Sequence, residues 1–250
     1  MRSEKVIFAR AVILQCFDDR IILEMDWGKS TRPISEREAD RIGIRNWLRN
    51  KGYDPYMTAD EKAFFELPVG KASFQKNELE RMDIRCKSSD IILWGLDLRE
   101  QNDLSQFSVN DNHKVLNICP EHDFTAEAGK CVLRSVDEFN CRKDVEFLWY
   151  WRMNQMDARA TKGANHHITD MIEHEFGNQY QDALHHIELY TPKVSTSSSD
   201  FVVCNLVVRE LYRWQIQLLK TITYWRYQAI LWMTDKNMKW DEIEAGFQPA

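Results

Sequence analysis

The 250-residue chain holds only nine glycines and six prolines, and the glycines form no recognisable loop. Without a Gly-x-Gly-x-x-Gly, a Walker-type loop or a Gly-x-Ser-x-Gly, the backbone offers no standard cradle for a dinucleotide or triphosphate and no nucleophile elbow. Cys-x-x-Cys is missing as well. The six cysteines (Cys16, Cys86, Cys119, Cys131, Cys141 and Cys204) are scattered, which in a chain this long reads as reduced, packed thiols. No long basic block is present and the net charge is −6, so a nucleic-acid backbone would be repelled and no nucleic-acid partner is expected. Nor does any uncharged apolar run approach the roughly 20 residues that span a bilayer. The apolar stretch 201–233 carries Arg209, Glu210, Arg213, Lys220 and Arg226, and reads as a core helix with no membrane role. Arg10 interrupts the run that follows Lys5, and Asp18, Asp19 and Arg20 come next with no small-residue cleavage site. A signal peptide is therefore not expected, and a cytoplasmic location is.

What the chain has in quantity is aromatic and charged surface on a helical pattern. Hydrophobic residues make up 44%, charged residues 29% and aromatic residues 12%, with nine tryptophans. Rings in that number point to a well-filled core. Residues 6–17 are apolar almost throughout, and Arg10, Ala11 and Gln15 favour helix over buried strand. Ser35-Glu-Arg-Glu38 has the form of a capping box opening a helix that carries Ile44, Trp47 and Leu48 and stops near Gly52. Thr58-Ala-Asp-Glu61 offers another N-cap, ahead of Phe64 and Phe65, and Met82, Cys86, Ser89, Leu93 and Leu96 follow helical spacing. Ser135-Val-Asp-Glu138 opens a helix running through Trp149 to about Gly163. Ile168, Ile172, Phe176, Tyr180, Ala183, Ile187 and Tyr190 form a further helical stripe. Thr191–Ser199 reads as a connector, with Asp200 capping the long last helix.

These periods predict an all-α protein, a single multi-helix domain of about seven helices. A small hairpin or long loop is expected near residues 105–135, which would hold what strand there is. If the domain has two lobes, they divide into 1–132 and 133–250, with the connector at 191–199. Trp94, Trp149, Trp225 and Trp232 lie on or beside apolar stripes and are expected to be buried.

Three segments carry a resemblance. Ala59-Asp-Glu-Lys-Ala-Phe-Phe65 precedes a helix with Ile92-Leu-Trp-Gly-Leu96. Leu133-Arg-Ser-Val-Asp-Glu138 is followed by Trp151-Arg and Asp157-Ala-Arg159. Arg226-Tyr-Gln-Ala-Ile-Leu-Trp-Met-Thr-Asp235 runs on to Trp240-Asp-Glu-Ile243. In this order, over about half the chain, they resemble a bacterial family, Domain of Unknown Function 4272. Gly95 stands where that family usually has Ala, Glu242 replaces a second Asp, and residues 160–205 match poorly. The resemblance implies no activity and transfers no site residues.

Candidate sites therefore come from the residues alone. His166, Asp170, Glu173 and His174 share one helical face opposite the apolar stripe, and imidazoles and carboxylates one or two turns apart suit a divalent ion such as zinc. A solvated polar face explains the same pattern, since one helix does not complete a coordination shell. Cys119, His122, Cys131 and Cys141 contain a zinc-knuckle spacing at their start, with packed thiols as the simpler account. Arg37, Arg41, Arg45 and Arg49 recur every four residues, a ridge suited to an acidic partner or phosphate. Glu36, Glu38 and Asp40 are interleaved, and favour ion pairing within the helix. No resident cofactor is expected. The leading expectation is a non-enzymatic module that binds another protein, for example an immunity protein binding a toxin. The alternative is a metal-dependent hydrolase working from the His166/Asp170/Glu173/His174 face.

Overall fold

A computed structural model describes residues 1–24, 32–71, 76–99, 128–162, 196–197, 200–203 and 206–246. Eight α-helices lie among them: α1 (Glu4–Glu24), α2 (Ile34–Asn50), α3 (Ala59–Glu66), α4 (Lys76–Cys86), α5 (Ser89–Gly95), α6 (Val136–Lys162), α7 (Arg213–Thr234) and α8 (Trp240–Gly246). The protein is all-α, as its periodicities require.

Helix α1 has apolar residues on every side because it is buried on every side. Ile7, Ala11, Val12, Ile13, Leu14 and Cys16 are fully enclosed, and α2, α3, α4 and α5 all pack on it. Helices α6 and α7 form the other main pair. They run antiparallel, since Glu146 meets Arg226 near the middle while Asp157 at the end of α6 meets Lys220 near the start of α7.

Two apolar clusters result. One joins α1, α3 and α5 to Phe139 and the chain end from Trp225 to Ile243. The other gathers Val145, Leu148, Trp149 and Met153 of α6 with Phe201, Ile216, Leu219 and Ile222. Helices α6 and α7 each contribute to both, so the C-terminal turns of α7 pack against the first helix of the chain. Trp94, Trp149, Trp225 and Trp232 are all buried.

Caps explain several boundaries. Thr58 and Glu61 form a reciprocal capping box, and so do Ser135 and Glu138. The expected box at Ser35–Glu38 does not form. Helix α2 begins two residues earlier, after Pro33, and Glu38 turns away to bind Arg41 and the Val69 amide. The residues after Gln75 make two helices where the periodicity suggests one, because Lys87 and Ser88 close turns onto Ile84 and Arg85.

The largest correction concerns residues 200–212. Asp200 caps no helix; it starts the middle strand of a small antiparallel sheet, β1 (Thr196–Ser197), β2 (Asp200–Val203) and β3 (Leu206–Val207), in that order. The β-branched run Val202-Val203 and Val207-Val208 prefers extended backbone, and α7 waits until Arg213. The described strand thus lies at 196–207. Of the 105–135 stretch, residues 131–135 form neither helix nor strand and hydrogen-bond to the end of α5 through Val132 and Arg134; residues 105–127 lie outside the described residues.

Candidate functional site

The arginine ridge of α2 turns inward. Arg41 and Arg45 are buried. Arg41 binds Glu38 with two nitrogens and donates to the Phe65 carbonyl. Arg45 binds Asp54 and Glu66, Arg49 also reaches Glu66, and Arg37 donates to the Leu23 carbonyl. Their guanidinium groups knit α2 to α1, η1 (Asp54–Tyr56, a 3-10 turn) and α3.

His166, Asp170, Glu173 and His174 lie outside the described residues, as do Cys119 and His122. Cys131 and Cys141 are thiols. Burial, with Glu4 adding to it, pushes the Cys131 thiol up to about 11. Among the described residues, no group of three or more His, Cys, Asp or Glu side chains is placed to hold a metal.

Charge is concentrated inside, in a form that sequence reading missed. Glu61 is fully buried and shared by Arg10 and Arg85. Glu146 is fully buried and shared by Arg142 and Arg226. Burial alone would raise both carboxyls. The paired guanidiniums outweigh it, with the Thr58 amide helping at Glu61, and hold both below the ordinary carboxylate range. The i,i+4 spacing of Arg142 and Glu146 was the available signal; the distant arginines gave none. A different pairing joins α1 to α4, where burial, then a hydrogen bond that the protonated Asp18 donates to Asp83 and the charge of Asp83, lift the Asp18 carboxyl to about 7.

Two surface features remain. One follows β3, where Tyr212 and Trp214 are 70% and 57% exposed. The Tyr212 amide is fixed by Gln215 Oε1 at 2.9 Å, and Leu206, at the start of β3, is also exposed. The other is a cavity of about 310 Å³ between the start of α1, the turn at 55–58 and the segment from Trp232 to Asp241. The Trp232 and Trp240 rings meet edge to face at 5.3 Å. Arg2 lies 4.5 Å from the centre of the first ring and Arg10 4.9 Å from the second. Arg2 is held by the Trp232 carbonyl at 2.7 Å and by the Met238 carbonyl. Lys236 and Lys239 stand at the rim.

Protein-family models, curated proteins and solved structures were compared with the chain, and none matches. Geometry is the guide that is left. No helix among the described residues is long and apolar enough to cross a membrane.

Proposed function

We propose that the protein is a non-enzymatic interaction module that binds another protein through the edge carrying Leu206, Tyr212 and Trp214. One observation carries this reading. Trp47, Trp94, Trp149, Trp225, Trp232 and Trp240 are buried, whereas Trp214 and its neighbour Tyr212 stand in solvent. Exposing two large rings at the start of α7 forgoes burial that the fold achieves elsewhere. Tyr, Trp and Arg are the residues that dominate binding hot spots; Arg209 precedes this pair and Arg213 lies between its two members, both exposed.

The net charge of −6 adds long-range steering toward a basic partner. A concrete form is an immunity protein that neutralises a basic toxin. The segments that resemble Domain of Unknown Function 4272 meet in space, where Arg134 donates to the Trp94 and Gly95 carbonyls and Gly95 lies against Met233. That convergence supports treating them as one unit of relationship, and it brings no chemistry with it.

The test is parallel capture with the wild type and a Tyr212→Ala/Trp214→Ala variant of unchanged melting temperature. The reading expects a protein retained stoichiometrically by the wild type and lost by the variant. Equal capture by both would end it.

A further inference from the structure

The cavity at the other end of α7 lies roughly 27 Å from the Trp214 edge, at about 1.5 Å of rise per residue, and needs an account of its own. Four of its lining side chains are basic (Arg2, Arg10, Lys236 and Lys239) against one acidic, Asp241. Their charge is compensated only in part, with Asp235 acting on Arg2. Arg2 hydrogen-bonds to two neutral main-chain carbonyls. Arg10 shares the single carboxylate of Glu61 with Arg85. Lys236 has no ion-pair partner among the described residues, and Lys239 has Glu242 at 3.3 Å. A second observation is independent of charge. Arg10 Nε and the indole N–H of Trp240 are both buried and find no hydrogen-bond acceptor among the described residues, although both residues line the cavity. Buried donors are almost always satisfied, and these two orphans belong to residues that wall the hollow.

We propose that this cavity is a binding site for a small phosphomonoester. Three features select that chemistry over a carboxylate. A carboxylate is best matched by a free guanidinium fork, and neither fork is free: Arg2 Nε and Nη2 are held by carbonyls, and Arg10 Nη1 and Nη2 by Glu61 and Tyr56. The arginines thus act as fixed charges, and the open contacts fall to lysine ammonium groups, which suit phosphate as point charges. A phosphomonoester also brings a charge of about −1.5 to −2 at neutral pH, which draws it to the two rim lysines more strongly than a carboxylate's single charge. The rest of the lining, Val6, Met57, Met238 and the two indoles, is an apolar surface for the carbon portion. At about 310 Å³ the volume suits a compact molecule, at the lower end of ligand pockets.

The experiment is calorimetric titration of the full chain at low salt with phenyl phosphate, inorganic phosphate and benzoate. Two variants accompany it. Lys236→Glu reverses an exposed charge with no ion pair to lose, and Arg2→Gln tests the inner charge, with its fold checked by circular dichroism. The site predicts saturable 1:1 binding of phenyl phosphate, weaker binding of benzoate, and a loss on the order of tenfold or more in Lys236→Glu, as expected for one reversed contact charge. Affinity should also fall as pH drops below about 6, where the phosphate takes up its second proton. Sedimentation with phosphatidic acid vesicles separates the two sources of the group: binding there assigns a lipid phosphomonoester, and its absence beside phenyl phosphate binding assigns a soluble one. No saturable binding of phenyl phosphate, or binding unchanged in Lys236→Glu and in folded Arg2→Gln, overturns the proposal.

Discussion

A Cβ placed on Gly95 would sit 3.0 Å from the sulfur of Met233, and as close to the ring of Phe139. The missing side chain is what lets α5 approach α6 and α7. Gly95→Ala gains about 0.5–1 kcal/mol of helix preference but overpacks a sealed core, at a typical cost of about 1–3 kcal/mol. The expected net effect is a loss of about 1–2 kcal/mol in urea unfolding. A stabilised Gly95→Ala protein would show that Met233 and Phe139 have room to yield.

Glu146 is the hub of the α6–α7 pair. Glu146→Gln leaves Arg142 and Arg226 facing each other in the interior, and breaking a buried pair in this way costs about 3–5 kcal/mol. Chemical denaturation should show that loss at pH 7. Because Glu61 and Glu146 ionise below the ordinary range, their contribution is complete above the unfolded carboxyl pKa of about 4.3 and disappears as pH falls through the folded values. The acid limb of the stability curve should therefore be shallower in Glu146→Gln. Equal acid limbs would assign acid unfolding to other groups.

Asp18 behaves in the opposite sense. With its folded carboxyl at about 7, the native protein holds a proton that the unfolded chain releases near 3.9. Stability then falls as pH rises between those values and levels off above the upper one. Burial and Asp83 drive this, Asp19 adds to it, and Lys87 opposes it. Asp18→Asn should remove the decline and stabilise the protein at pH 8 by on the order of 2–4 kcal/mol. Melting temperatures from pH 5 to 8.5 are the measurement, and a destabilised Asn variant at pH 8 contradicts the assignment.

Trp149 stacks on Phe201 with ring centres 4.3 Å apart, which fastens the small sheet to α6. Trp149→Ala should cost about 3–5 kcal/mol. Trp214→Ala, on the exposed edge, should stay within about 0.5 kcal/mol. Similar losses from the two would place Trp214 in the core and remove the basis for a docking edge.

How far the sequence reveals all this depends on the range of each interaction. Helices α1 and α6, the body of α7 beyond Arg213 and the caps at Thr58 and Ser135 are local matters, written in periodicity and in residues three apart, and they read correctly. The strands at 200–207 were hidden because Val, Leu and Phe serve a helix stripe as well as a strand, and burial against Trp149 decides between them. The arginines of α2 recur visibly, but only packing shows that they face Phe65, Asp54 and Glu66. The cavity was half legible. Its Trp232–Asp241 wall is the tail that carries the resemblance, whereas Arg2 and Arg10 join it from the far end of the chain, with no sequence signal to announce the meeting.

That meeting sets a schedule for biogenesis. Arg2 binds main-chain carbonyls at Trp232 and Met238, and α1 shares its apolar cluster with residues 225–243. On a ribosome adding about 5–20 residues per second, roughly 10–50 s separate the emergence of these two partners. Throughout that interval a helix buried along most of its length lacks part of its cover. Nascent chains stalled before α7 should need chaperone protection that the finished chain does not.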